Sequence, residues 1–172
     1  MENNITPRGP LFAFSYSSWN DDIDTGRSTG CYLIIYMGGV TNHSSNLPDP
    51  IALSSAEAEH NETCLCGMVV THLEMLLNDM EARSENEDTV SIILDSKSAI
   101  AMGNSFKNTK HSRHILRRYH YVRDGIETKR YELILINMEN QFADIGMKQT
   151  PGSRHVFLTN KILTKIGSVQ EG

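Results

Sequence analysis

The run Val90-Ser91-Ile92-Ile93-Leu94 closes on Asp95 and passes at once into Ser96-Lys97-Ser98-Ala99-Ile100-Ala101-Met102. The first stretch is apolar between polar neighbours and predicts a buried strand; the second predicts a short helix. A carboxylate at the C-terminal end of such a strand lies in the crevice where open α/β sheets bind ligands. Other segments follow the same alternation. Cys31 to Met37, Ile51-Ala52-Leu53 after the Asn46 to Pro50 turn, and Tyr131 to Ile136 read as strands. Thr25 to Gly30 reads as the hairpin connection between the first two strands. A long helix capped by Ser54 or Ser55 is expected to run to about Arg83, with Leu65, Met68, Val69, Leu73, Leu76 and Leu77 as its apolar stripe. Residues 153 to 166 predict a terminal helix packing through Val156, Phe157, Leu158, Ile162 and Leu163.

Three acids sit at matched places in this pattern. Glu59 lies near the start of the long helix, Asp95 at a strand end, and Asp144 after the Tyr131 strand, in the first turn of a further helix. Carboxylates brought together without a cation raise one another's pKa, whereas hard oxygen donors suit Mg²⁺ or Mn²⁺. Two such ions roughly 4 Å apart can activate water and stabilise the leaving oxygen of a phosphodiester. Taken singly, each acid also has a structural explanation, as a helix cap, a solvated first-turn acid or a charge at a helix N-terminus.

Read in order, Phe14-Ser15-Tyr16-Ser17-Ser18-Trp19, Thr25-Gly26-Arg27-Ser28-Thr29-Gly30, Leu53-Ser54-Ser55-Ala56-Glu57-Ala58-Glu59, Leu94-Asp95-Ser96-Lys97-Ser98-Ala99-Ile100, His114 to His120 and Ala143-Asp144-Ile145 resemble the ribonuclease H domain of copia-type retrotransposon Pol polyproteins. The resemblance spans residues 11 to 165. It implies an α/β ribonuclease H-like fold, a five-stranded mixed sheet flanked by helices on both faces. It also implies cleavage of the RNA strand of an RNA·DNA hybrid with two Mg²⁺ ions, Mn²⁺ being a substitute. Glu59, Asp95 and Asp144 take the positions of the family's metal-binding carboxylates, with Glu57 the rival of Glu59. In the family the first strand carries Tyr-Ser-Asp, and here Tyr16 stands in place of that catalytic Asp. A phenol has a pKa of about 10 and is a poor substitute for a bridging carboxylate. Asp21, Asp22 and Asp24 follow nearby, beyond Trp19. His60 replaces a tyrosine of the family and Met147 a threonine. Two readings remain open: an active enzyme with a compensating ligand, and a silent remnant that keeps the fold and weak hybrid binding. A related integrase is disfavoured, because its glutamate comes last in chain order.

The basic segment Lys107 to Arg123 contains Lys110, Arg113, Arg117, Arg118 and Arg123. On a helix from about His111 to Gly125, Ile115, Tyr119, Val122 and Ile126 would face inward and leave Arg113, Arg117 and Arg118 for phosphates. Arg27 is a further candidate contact with nucleic acid. The net charge of −5 disfavours strong nonspecific binding, but its distribution matters more than its sum. At 172 residues and 39% hydrophobic content, one globular domain over 11–167 is expected, with 1–10 a linker and 168–172 a tail. No run is long enough to span a membrane and no secretory signal opens the chain, so an intracellular site is expected: cytoplasm, virus-like particle or nucleus. Three cysteines make no disulfide framework. The resemblance implies reverse transcriptase and other Pol segments as partners in an intact element, and a monomer for the isolated domain.

Overall fold

The computed structural model describes residues 9–20, 22, 24–47, 51–83, 89–103, 113–137, 141–146 and 152–162. Strands β1 (Leu11–Ser18), β2 (Thr29–Tyr36), β3 (Gly39–Asn46), β4 (Val90–Leu94) and β5 (Tyr131–Leu135) form one sheet in the order β3-β2-β1-β4-β5. The first three pair antiparallel, while β1 with β4 and β4 with β5 are parallel. Helices α1 (Ser55–Asp79), α2 (Lys97–Gly103), α3 (Arg113–Glu127) and α4 (Gly152–Ile162) and a 3-10 turn, Phe142–Gly146, complete the order.

Strand alternation divides the core in two. Leu11, Ala13, Ile34, Val90, Ile92 and Leu94 face Cys64, Cys66, Val70 and Leu77 of α1 and Val122 of α3. The opposite side chains, Phe14, Tyr16, Cys31, Leu33, Ile35 and Ile93, meet Ala143 of the 3-10 turn and Leu158 of α4. Both faces of the mixed sheet are therefore covered by helical segments.

Three expectations need correction. Ile51-Ala52-Leu53 is not a strand; the third strand is Gly39–Asn46, joined to β2 through Met37 and Gly38. Both turn residues have positive φ, 51° and 81°, the geometry of a two-residue hairpin turn. This strand is polar and largely exposed because it is a sheet edge, so it carries no hydrophobic alternation to read. The buried face of α1 is also rotated from the expected stripe. Of the stripe, Leu77 is buried and Val69 and Leu73 pack against the core, but Met68 and Leu76 are exposed, whereas Glu62, Cys66, Val70 and Glu74 are buried. Close contacts set this rotation: Gly67 lies against the Tyr131 ring, and a Cβ on Gly30 would collide with the Glu62 carboxylate. Glu74 is ion-paired to Arg83. The terminal helix buries Leu158 but exposes Val156. No helix among the described residues is long and apolar enough to cross a membrane.

Candidate active site

The parallel register pairs Phe12 with Ser91, Ala13 with Ile92 and Phe14 with Ile93. Continued by two residues, it carries Tyr16 level with Asp95. Side-chain exit alternates, so Tyr16 leaves the sheet on the face of Phe14, away from α1. It is 8% exposed and packs with Phe14, Cys31, Leu33 and Ala143. Tyr16 is thus a phenol packed against apolar side chains at the end of β1.

Helix α1 begins at the same edge of the sheet. Ser54 is its N-cap and accepts from the Glu57 backbone N–H at 3.2 Å, while the Glu57 Oε2 accepts from Leu53 N at 3.0 Å. This reciprocal arrangement is a capping box reaching one residue further back than usual. Glu57 is thereby committed to the helix end. Glu59, half-buried two residues on, lies beside Asp95 and Ser96 instead. Burial raises its carboxyl above the usual range, the Ser96 hydroxyl pulls it down, and the Asp95 charge adds to the rise. Ser96 also accepts from Ala99 N at 3.2 Å, capping α2 directly after Asp95.

Asp144 lies within the 3-10 turn rather than in a helix's first α-turn. Gln141 places this turn against β1: its Nε2 donates to Ser15 O at 3.1 Å, and its Oε1 accepts from Ala143 N at 3.3 Å. The Asp144 backbone is therefore held near the Tyr16 end of β1, while its side chain falls outside the described positions. Among the described residues, no group of three or more His, Cys, Asp or Glu side chains is arranged to hold a metal ion. Glu59 and Asp95 are the two carboxylates brought together. Asp22 is occupied by its own turn, accepting from Asp24 N and the Thr25 hydroxyl; Asp21 lies outside the described residues.

The basic residues separate into distinct environments. Lys110 is outside the described residues, and Arg113 is known only as the first residue of α3. Arg117 is exposed. Arg118 is half-buried and turned toward α1, where its charge acts on His60, Glu62 and Cys64. Arg123 lies 3.6 Å from Glu127 and contacts His120 at 3.1 Å. It lines an open groove of about 430 Å³ with Arg117, His120, Tyr121, Asp124 and Glu127. Because α3 runs into β5 beside the start of β4, its C-terminal half sits at the sheet edge opposite Asp95. Of the described cations, Arg117 is nearer the acidic end than Arg123. Arg27 lies in the β1–β2 connection near Asp22, whose carboxyl is held below the usual range first by the Thr25 hydroxyl, then by the Asp24 N–H, and last by the Arg27 charge.

Sequence reading missed a buried polar seam on α1. His60, 1% exposed, stacks on Tyr119 with ring centroids 4.2 Å apart, and burial pushes its pKa down to about 4. Glu62 is wholly buried, and burial pushes its carboxyl up to about 7. Neither carboxyl oxygen of Glu62 has a hydrogen-bond partner among the described residues. The available signal was the polar run His60-Asn61-Glu62-Thr63 inside a helix that must face a sheet.

No family model matches the chain. In sequence it is similar to the retrovirus-related Pol polyprotein from transposon TNT 1-94 of Nicotiana tabacum, with 26% identity over 133 residues, 77% of this chain. The chain spans about a tenth of the length of that curated relative. In structure it is similar to RNase H1 of Halobacterium salinarum, with TM-score 0.54 and 10% identity over 78% of this chain and 91% of that one. A compost-derived RNase H1 matches with TM-score 0.56 and 13% identity, covering 80% and 92% of the two chains. A foamy viral protease-reverse transcriptase, solved in complex with RNA/DNA hybrid, matches with TM-score 0.51 and 12% identity over 81% of this chain and 19% of its own. Sequence and fold agree: the chain has a ribonuclease H-like α/β fold and resembles the ribonuclease H segment of copia-type retrotransposon Pol polyproteins.

Proposed function

We propose that this domain engages RNA·DNA hybrids as a retroelement ribonuclease H domain whose cleavage site is incomplete at its first strand. The observation that carries this reading is Tyr16, level with Asp95 and buried among apolar side chains where a carboxylate would be needed. The fold and the foamy viral neighbour support the hybrid as substrate class; the acidic edge supports phosphodiester chemistry.

The donor set fits a divalent cation only in part. Glu59 and Asp95 repel one another, and a cation between them would relieve that repulsion. Asp144 adds a carboxylate in sequence at a backbone position near β1. Tyr16 contributes a phenol packed into the second core, so no carboxylate from β1 bridges the set. A bound divalent ion would supply charge neutralisation and water activation in this family's chemistry. The chain's own residues would take the other tasks: the exposed charge of Arg117 supports a phosphate contact, and the capped start of α1 keeps Glu59 at the sheet edge.

The test is cleavage of a labelled RNA·DNA hybrid in Mg²⁺ and in Mn²⁺ by the chain as it stands, by Tyr16→Asp and by Asp95→Asn. The expected result is cleavage by Tyr16→Asp alone, abolished when Asp95→Asn is added. Asp95-dependent cleavage by the unmodified chain would overturn the incomplete-site reading. Melting of Tyr16→Asp establishes that the variant folds, since it places a carboxyl where a packed ring was.

A further inference from the structure

Trp19 is 49% exposed, one residue beyond β1, and its indole N–H is already committed, donating to Ala52 O at 3.0 Å. That bond ties the end of β1 to the segment that precedes the α1 cap. The ring is therefore oriented by the fold, and what it offers a partner is its face rather than its polar edge. Ile51 at 53% and Leu53 at 80% exposure flank the bonded Ala52, so the rim is apolar on either side. Trp19 lies three residues past Tyr16, just beyond the strand end, so at most about 10 Å of chain at about 3.3 Å per residue separates the two. Arg27, in the same connection, brings a cation to this end of the sheet.

We propose that Trp19 is a stacking platform for a nucleotide of the hybrid, flanking the acidic site. The inference rests on the proposed function for the identity of its occupant. Three features favour a nucleotide over an apolar protein segment: continuity with the carboxylate edge, a cation on the same loop, and a rigid aromatic face without a free donor. Bases and sugars present flat surfaces to such a ring, and the contact is tolerant of sequence.

The chain contains a single tryptophan, so its emission on excitation at the red edge reports Trp19 alone. The full chain is titrated with an end-labelled RNA·DNA hybrid while tryptophan emission and label anisotropy are followed together. Emission is expected to be quenched along the same isotherm as the anisotropy. Trp19→Leu is expected to weaken binding about tenfold, the lower end of a stacking contact of about 1–3 kcal/mol, and Trp19→Phe to recover most of it. Thermal melts check that both variants are folded. Hybrid binding with unchanged emission, or with equal affinity in Trp19→Leu, would overturn the platform and leave the proposed function standing. Absence of hybrid binding in the unmodified chain would overturn both.

Discussion

Replacing Glu62 by glutamine should stabilise this domain above neutral pH and leave it little changed in acid. The carboxyl is 0% exposed, pressed against Gly30, with Tyr32 and Cys66 close by and Arg118 as the cation acting on it from α3. Burial raises its pKa from 4.5 to about 7, with Arg118 pulling the other way. For an acid raised on folding, the native state binds the proton more tightly than the unfolded chain. Its contribution is whole below 4.5, declines as pH rises, and has been lost once pH exceeds about 7. At about 1.4 kcal/mol per pH step, the gap amounts to about 3 kcal/mol. Glutamine keeps the shape without an ionisable proton, so at pH 8.5 it should gain about that much, or roughly 6–12 °C in Tm for a domain of this size. His60 works in the opposite sense: lowered to about 4 by burial, it costs stability as pH falls below 6.5. Comparing Glu62→Gln with the parent at each pH cancels that contribution. Urea and thermal melts at pH 5 and 8.5 provide the assay. Equal pH dependence in the two proteins would show that the carboxyl is not held neutral by burial, refuting the argument.

The two glutamates at the start of α1 should behave differently. Glu57→Ala removes the bond to Leu53 N and is expected to cost about 1 kcal/mol in urea melts, whereas Glu59→Gln at pH 8 without metal should raise Tm by removing a charge that burial, and after it Asp95, disfavours. Gly125→Ala places a Cβ into the Tyr131 ring under α3, and overpacking of about 1–3 kcal/mol should lower the unfolding midpoint; an unchanged midpoint would mean α3 can shift freely on β5.

The order of strands and helices other than β3, the break after Leu94 at Asp95 and the cap at Ser54 could be read from local pattern, because apolar periodicity and capping chemistry act within a few residues. The departure at Tyr16 is visible only through the resemblance to the family, which implies a carboxylate at that position. Strand β3 was not legible, because its pairing with β2 depends on backbone bonds rather than on a buried side-chain face. The rotation of α1 was not legible either. Periodicity nominated Met68 and Leu76, but contacts at Gly30 and Gly67 with distant residues turned Glu62 and Cys66 inward. Likewise, the spacing of α3 left Arg118 among the outward cations, and only the packing of two helices turned it toward α1. Local sequence determined which segments form and which chemical groups they carry. Tertiary structure decided which groups face each other, because burial and charge proximity are properties of chain-distant neighbours: Glu59 beside Asp95, Tyr16 against Ala143, and Glu62 buried under the sheet.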